Sequence, residues 1–365
     1  SIERIFDFCE YKASGKKIIV SGCLAKRYAD ELFEEMPEVD CFIGVNEYEQ
    51  LPEILENLDK RQKVVTECFA DVLPRMERKL DDNPFSSTLK IAEGCNNRCA
   101  YCVIPSIRGK YRSKKIEDIL DEAQELAQAG CKELILIAQD VTNYGIDLYG
   151  QYKLSELLRK LCRIDGIKWI RLMYCYEDRI TDELIDVMAS EPKICKYIDI
   201  PIQHASDAVL KAMRRRSTEA SIENTIERLR AKIPDIHIRT TFIVGFPGET
   251  DDDYEKLYAF VNKMRFARLG VFAYSQEENT PAGEMENQID EEVKEERLDG
   301  IMRRCGYKLS GVLNSIKKKS DRRSRFWSRN RMKTEAGSAE AAMMRLRLTT
   351  RLFSLRIATC SRVTL

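Results

Sequence analysis

Short apolar runs alternate with longer amphipathic stretches over residues 88–273. The runs have the length and β-branched content of buried strands, and they predict strands at 89–92, 133–138, 168–173, 196–200, 236–244 and 268–273. Helical spacing of the apolar positions between them predicts helices at 116–129, 153–164, 181–190, 206–213, 221–232 and 252–263. Six βα units predict an α/β fold, a partial (β/α)6 barrel whose functional site lies at the carboxyl ends of the strands.

Residues 1–59 show the same alternation on a smaller scale. Strands at 17–21 and 41–44 and helices at 25–35 and 47–58 predict a small α/β domain with a parallel sheet. The chain begins on a pattern typical of the middle of an amphipathic helix, so we expect the first part of this domain to lie upstream of Ser1. Residues 60–87 contain Pro74, Pro84 and mixed charges and predict a linker; the barrel domain is predicted over 88–313.

The amino-acid composition indicates the broad class of protein and its cellular compartment. The chain has 365 residues, with 60 basic and 60 acidic side chains and 44% hydrophobic residues, as in globular proteins of two domains. No apolar run is long enough to cross a bilayer and no signal-peptide pattern is present, so we expect no membrane association. Thirteen cysteines without a secretory signal predict a reducing, cytoplasmic location, where thiols are free to bind metal.

Residues 314–365 depart from this balance, with 14 Lys and Arg against 3 Asp and Glu. A basic segment can bind nucleic acid, but this one has no regular apolar period and follows an abrupt change of composition. We therefore predict a disordered tail or the product of a shifted reading frame, and we do not expect direct nucleic-acid binding.

Three cysteines follow the first barrel strand on one loop. They stand in Gly94-Cys95-Asn96-Asn97-Arg98-Cys99-Ala100-Tyr101-Cys102, at C-x3-C-x2-C spacing. A zinc knuckle would need a fourth ligand at matching spacing, and the next cysteine, Cys131, is in or just after a predicted helix. A four-iron cluster fully ligated by protein has four thiolates, so three would leave one iron open to a substrate or cofactor.

This loop resembles that of the radical S-adenosylmethionine (SAM) enzymes. The resemblance implies that Cys95, Cys99 and Cys102 bind a [4Fe–4S] cluster, and that SAM binds the open iron. It also implies that Tyr101 lies beside the cofactor. In that superfamily an electron from the cluster cleaves SAM to a 5′-deoxyadenosyl radical, and no catalytic residue beyond the cluster is implied here.

Polar residues on two other strands are further candidates. Gln139 and Asp140 close the second strand, where polar side chains line a site or cap the next helix, and we predict that they contact the cofactor. On the fifth strand Arg239 and Thr240 either face the barrel interior and SAM, or Arg239 makes an outward salt bridge. His204 follows the fourth strand as either a structural residue or a ligand.

A glycine-rich loop, Gly245-Phe246-Pro247-Gly248-Glu249, follows the fifth strand. Two glycines and a proline make a tight loop that lets a ligand approach the backbone. Alone, this pattern is no more than an ordinary βα turn. The resemblance to the radical SAM barrel implies an adenosine-contacting loop, which assigns Gly245, Phe246 and Gly248 to cofactor binding.

Two further segments narrow the resemblance to the radical SAM methylthiotransferase family. These are Gly22-Cys23-Leu24-Ala25-Lys26-Arg27-Tyr28 and Arg108-Gly109-Lys110-Tyr111-Arg112-Ser113. The family carries a second, auxiliary [4Fe–4S] cluster, and the resemblance implies Cys23 as one of its ligands. Residues 139–150, 174–176 and 200–206 resemble the RimO branch. That branch methylthiolates the β-carbon of an aspartate in a small-subunit ribosomal protein.

The chain departs from the family pattern at both ends. The auxiliary cluster needs three cysteines, and only Cys23 matches, because Cys9 and Cys41 are predicted to be core residues. We therefore expect SAM cleavage without sulfur insertion. Residues 314–365 lack the alternating strands of the family's all-β TRAM domain.

The resemblance implies a small-subunit ribosomal protein as substrate and an external electron donor. Two other interpretations stay open. The chain is either a MiaB-like enzyme acting on isopentenyladenosine in tRNA, or a non-catalytic metal-binding protein.

Overall fold

A three-stranded parallel sheet with helices forms the first part of the computed structural model, which describes residues 2–58, 60–65, 73 and 85–303. The strands are paired in the order β1-β2-β3. In chain order the elements are α1 (Ile2–Cys9), β1 (Ile19–Ser21), α2 (Cys23–Arg27), α3 (Ala29–Glu35), β2 (Cys41–Ile43), α4 (Leu51–Glu56) and β3 (Gln62–Val64), with 3-10 turns at Glu10–Ser14 and Tyr48–Gln50.

Two features of this part differ from the sequence prediction. The helix expected over 25–35 is broken at Tyr28, whose backbone leaves the helical region (φ −121°, ψ 36°) between α2 and α3. Strand β3 lies in the stretch expected to be linker and pairs in register with β2. The pattern around β3 is too short and polar to separate an edge strand from a loop, and each of its residues pairs with one 21 positions earlier in the sequence.

Six parallel strands form the second part and confirm the predicted partial (β/α)6 barrel. They are β4 (Ser86–Lys90), β7 (Glu133–Ile137), β8 (Trp169–Leu172), β9 (Tyr197–Gln203), β10 (His237–Val244) and β11 (Arg268–Ala273). Strands β4-β7-β8 and β9-β10-β11 are paired within two groups, all in parallel register. A parallel bridge between Ile170 and Ile194 joins the two groups, so the strands follow one another in sequence order.

Helices separate these strands, and a short antiparallel pair interrupts the first connection. The pair is β5 (Ala92–Glu93) with β6 (Arg112–Ser113). The helices are α5 (Ile104–Arg108), α6 (Ile116–Gln128), α7 (Ile146–Tyr149), α8 (Leu154–Cys162), α9 (Asp182–Ser190), α10 (Asp207–Ala212), α11 (Glu219–Lys232) and α12 (Asp251–Met264). Further 3-10 turns lie at Val141–Asn143 and Glu177–Arg179, and residues 291–303 are helical.

The strands bury one face more completely than the other. On β10, Phe242 is fully buried and packs edge-on against Phe260 of α12 and Phe266, with ring centroids 6.4 and 5.8 Å apart. The alternate positions Arg239 and Thr241 are only half-buried, because successive side chains point to opposite faces of a sheet. The fully buried face meets the helices, and the half-buried face lines the concave side of the curved sheet.

Residues 2–297 form one compact unit, and residues 298–303 are the described part of a second. Most of the predicted linker and the whole basic tail predicted at 314–365 lie outside the described residues. Among the described helices, none combines the length and the apolar composition needed to cross a bilayer.

We expect Phe242→Ala to lower the free energy of unfolding by about 3–5 kcal/mol, because it empties a fully buried site between β10 and α12. Phe242→Leu keeps most of the volume and should cost clearly less. Urea unfolding followed by circular dichroism measures both. Equal losses for the two variants would contradict the packing role of the ring.

Candidate metal centre

The cysteine loop begins at a glycine that no other residue can replace without strain. Gly94 has φ +79°, and a Cβ there would lie 2.1 Å from the carbonyl oxygen of Lys110. The next residue, Cys95, donates its N–H to the Gly109 carbonyl at 3.1 Å. Together with the β5–β6 pair, these contacts close the base of the excursion that carries the three cysteines.

The middle of the loop is held at Ala100, which is fully buried. Its N–H donates to the Met213 carbonyl at 3.0 Å, and its carbonyl accepts from the Ala282 N–H at 2.9 Å. The cysteines on either side, Cys99 and Cys102, are therefore fixed in position and are half-buried. The loop holds its cysteines on an anchored backbone.

The three cysteines supply thiols, the ligands that iron–sulfur clusters use. Burial raises the pKa of Cys95 and raises that of Cys102 to about 11, and both thiols would lose their protons on binding metal. Among the described residues, no three His, Cys, Asp or Glu side chains are gathered closely enough to share one metal ion.

Asp140 braces the loop from the end of β7. Its Oδ2 accepts from Asn97 Nδ2 in the loop at 2.9 Å and pairs with the Arg179 guanidinium, while Oδ1 accepts from Thr142 at 2.6 Å. Arg179 also donates to Asn97 Oδ1 at 3.0 Å, which closes a three-membered network. Asp140 is only 1% exposed, so the structure commits both carboxylate oxygens of this predicted cofactor residue to protein partners.

Gln139, the neighbour of Asp140, has an unused acceptor. Its Oε1 is buried and has no hydrogen-bond partner among the described residues. An unsatisfied buried acceptor costs about 1–3 kcal/mol, and the side chain follows the concave-side positions of β7. The unpaired Oε1 of Gln139 suits a polar ligand that donates a hydrogen bond, as the predicted SAM contact requires.

An apolar cluster joins the cysteine loop to the glycine-rich loop. Ala100 and Phe246 are both fully buried in it, and Tyr101 packs against it. The Phe246 ring meets Tyr274 edge-on at 5.4 Å. The structure thus brings two predicted cofactor segments, far apart in sequence, into contact, with the Phe246 side chain in the core rather than at the surface of the site.

The glycine-rich loop is shaped before any ligand arrives. Gly245 has φ +71°, and a Cβ there would lie 2.3 Å from Lys294 Cγ, while Gly248 has φ +80° with open space around it. The fully buried Glu249 carboxylate accepts from the Phe246 N–H at 3.2 Å and pairs with Arg297 at 2.9 Å. Open space beside Gly248 leaves its backbone accessible to a ligand.

Arg239 and Thr240 lie on opposite faces of β10. Arg239 is on the concave side and pairs with Asp199 at 2.6 Å, so its salt bridge is inside the barrel and not outward. Thr240 is fully buried on the helix side, and its hydroxyl accepts from the Ile202 N–H at 3.5 Å. His204 is also fully buried, and its Nδ1 accepts from the Ser206 N–H at 2.9 Å. This contact favours a structural role for His204 over a role as a ligand.

Cys23 lies next to the arginine that ends α5. The Arg108 guanidinium donates to Cys23 Sγ at 3.1 Å and to Glu93 Oε1 at 2.6 Å, so Arg108 connects the first domain to the base of the cysteine loop. A second contact stands nearby, where Arg27 pairs with Glu277 at 2.6 Å and Tyr28 donates to Glu278 at 2.9 Å. The break in the helix at Tyr28 allows this contact.

Sequence reasoning missed the polar group that follows β8. Tyr176, Glu177 and Arg179 stand there at the carboxyl end of a strand, the same signal that identified Gln139 and Asp140. Arg215 completes this group from the segment after α10, pairing with Glu177 at 2.9 Å. No local pattern marks Arg215, because its partner is 38 residues away.

The chain is similar to known proteins over most of its length. The radical SAM superfamily model matches residues 89–261. The ribosomal protein uS12 methylthiotransferase RimO of Clostridioides difficile is 50% identical over 324 residues, covering 87% of this chain and 72% of the relative. The RimO of Lachnoclostridium phytofermentans is 52% identical over 308 residues, covering 83% and 70%.

Among solved structures, the chain is similar to the cobalamin-dependent SAM radical enzyme OxsB. The TM-score is 0.53 at 14% identity, with 83% of this chain and 46% of that chain covered. At this identity the similarity bears on the fold alone.

We expect Asp140→Asn to lower the free energy of unfolding by about 3–5 kcal/mol, because it leaves the buried Arg179 guanidinium without its counter-charge. The matched control is Glu183→Gln, which breaks an exposed pair with Arg159 and should cost less than about 1 kcal/mol. Urea denaturation compares the two. Similar losses would contradict the bracing role of Asp140.

We expect Arg27→Ala to speed hydrogen exchange at residues 23–28 severalfold while changing overall stability by no more than about 1 kcal/mol, since the pair with Glu277 is partly exposed. Exchange read by mass spectrometry measures this effect. Lys263→Ala, which removes an exposed pair with Glu223, is the control and should leave residues 23–28 unchanged. Unaltered exchange in Arg27→Ala would show that the contact does not hold α2.

Proposed function

The chain belongs to the RimO family of radical SAM methylthiotransferases, and we propose that the residues described above carry out the SAM-cleavage step of that family's reaction, the methylthiolation of ribosomal protein uS12. Its relatives carry that activity in their names at about 50% identity. A [4Fe–4S] cluster and SAM are the cofactors that the radical SAM superfamily implies. The acceptor, we infer, is the β-carbon of an aspartate.

The observation that carries this proposal is the position of the three cysteines. Cys95, Cys99 and Cys102 lie on an anchored loop beyond the carboxyl end of the first barrel strand, where barrel enzymes place their chemistry. Their number and type suit a cluster with one open iron. When bound, the reduced cluster and SAM supply a carbon radical able to abstract a hydrogen atom from an unactivated position.

The protein would hold the cluster, orient SAM and exclude water from the site. Asn97, Asp140 and Arg179 fix the loop that would hold the cluster. The Gln139 acceptor and the backbone at Gly245 and Gly248 would hold the polar groups of SAM. The apolar cluster under Ala100 and Phe246 keeps water from the inner side of the loop, as a reactive radical requires.

We propose that Cys23 is a ligand of a second, auxiliary [4Fe–4S] cluster. Its contact with Arg108 supports this, because the guanidinium links the Cys23 thiol to Glu93 at the base of the cysteine loop. An external one-electron donor is needed. A ribosomal protein substrate implies a cytoplasmic location, and tRNA, the MiaB-like substrate, is the alternative acceptor.

The test of the function is direct. Anaerobically reconstituted protein is incubated with SAM, dithionite and either purified uS12 or tRNA, and the products are read by mass spectrometry. We expect 5′-deoxyadenosine in both reactions, and a methylthio group on uS12 alone when the auxiliary cluster has all three of its cysteine ligands. Modification of tRNA with unmodified uS12 would replace the substrate assignment, and no 5′-deoxyadenosine would support a non-catalytic metal-binding protein.

We expect Cys99→Ala to abolish 5′-deoxyadenosine formation and to remove most of the iron–sulfur absorption after reconstitution, because two thiolates on the loop do not hold a four-iron cluster. Cys195→Ala, which alters a partly buried thiol outside the loop, is the control and should keep both signals. Full 5′-deoxyadenosine formation by Cys99→Ala would refute the ligand assignment.

A further inference from the structure

The phenol of Tyr176 contacts one of the three loop cysteines. Its hydroxyl lies 3.1 Å from Cys99 Sγ, and its side chain is 8% exposed. Tyr176 follows β8, on an element separate from those that anchor the loop backbone at Met213 and Ala282.

The direction of this hydrogen bond depends on the state of the sulfur. Between a neutral thiol and a phenol either group can donate. A cysteine that binds iron has lost its proton and can only accept, so the phenol must then be the donor. The structure therefore places a neutral donor against a ligand sulfur without adding a charge at the site.

The Tyr176 ring is held tightly enough for this bond to persist. The Arg215 guanidinium carbon lies 3.9 Å from the ring centroid, and Arg215 pairs with Glu177 at 2.9 Å, with both charged side chains only 1% exposed. Arg215 also donates to the Pro201 carbonyl at 3.1 Å. The Tyr176 N–H donates to Thr142 Oγ1 at 2.9 Å.

This arrangement has an electronic consequence as well as a steric one. A cation stacked on an aromatic ring is attracted to the π electrons and withdraws density from it, which makes the phenolic O–H a better hydrogen-bond donor. Removing either member of a fully buried ion pair is costly, so the guanidinium stays in place over the ring. The buried pair and the phenol act together on Cys99.

We propose that Tyr176 is a positioning residue that raises the reduction potential of the cluster by donating a hydrogen bond to the Cys99 thiolate. Reduction adds one electron, taken from the external donor, and increases the negative charge on the ligand sulfurs. A hydrogen bond to sulfur stabilises that reduced form more than the oxidised form. The inference rests on the cluster assignment made under the proposed function.

The test is an anaerobic redox titration of the reconstituted full chain, in which electron paramagnetic resonance measures the reduced cluster at a series of poised potentials. We expect Tyr176→Phe, which removes one oxygen and keeps the ring under Arg215, to lower the ratio of reduced to oxidised cluster about tenfold at a given potential. That ratio corresponds to a shift of about 59 mV for one electron. Iron content is matched before the comparison.

The control is Tyr174→Phe, which removes a hydroxyl from a side chain that is 43% exposed two residues earlier, and which should leave the potential unchanged. Site-specific 3-fluorotyrosine at position 176 should shift the reduction potential in the direction opposite to that of Tyr176→Phe. It keeps the shape of the side chain and makes the hydroxyl a stronger donor, so the potential should rise.

The possible outcomes distinguish failure of the tuning role of Tyr176 from failure of the cluster assignment. A Tyr176→Phe potential equal to that of the unsubstituted protein would overturn the tuning role, as would lower iron loading with an unchanged potential, which indicates a structural role only. Failure of the unsubstituted protein to bind a four-iron cluster would refute the cluster assignment itself.

Discussion

A buried carboxylate fixes the cysteine loop to the sheet, and the rest of the site depends on it. The loop has little packing of its own, since Ala100 is the one fully buried residue between Cys95 and Cys102. Asp140 supplies what the loop lacks, through Asn97 in the loop and Arg179 beyond the next strand. An ion pair removed from water is stable only with its partners in place, and this requirement gives the loop one preferred arrangement.

The same principle governs the other side of the site. The glycine-rich loop is held by the buried Glu249, which accepts from the loop's own backbone and pairs with Arg297. The Phe246 side chain packs in the same apolar cluster as Ala100 of the cysteine loop. Charges buried behind the site fix the backbone, while glycines in front leave it accessible. The polar groups that a ligand would meet are thus positioned in advance, which lowers the cost of binding.

The contacts between the first domain and the barrel are of a different kind. Arg27 with Glu277, and Tyr28 with Glu278, are partly exposed and individually weak. The Arg108 contact with Cys23 is the better protected one, because Arg108 is also tied to the buried Glu93. These polar contacts keep the Cys23 thiol near the base of the cysteine loop.

The sequence determined those features that depend on local pattern. The alternation of apolar runs and helical faces predicted the barrel and its six strands, and the spacing of Cys95, Cys99 and Cys102 predicted the kind of centre, because one short loop carries all three ligands. Strand alternation could also have separated Arg239 from Thr240, since neighbours on a strand face opposite sides.

Only the tertiary structure decided which polar residues face a ligand and which hold the site together. Asp140 and Gln139 are adjacent polar residues at the end of the same strand. Asp140 forms an ion pair with Arg179, whereas Gln139 Oε1 has no hydrogen-bond partner among the described residues. The partners of Asp140, Tyr176 and Cys23 lie 39, 77 and 85 residues away. The free energy of a buried hydrogen bond or ion pair depends on which group completes it, and the chain brings those groups together only by folding.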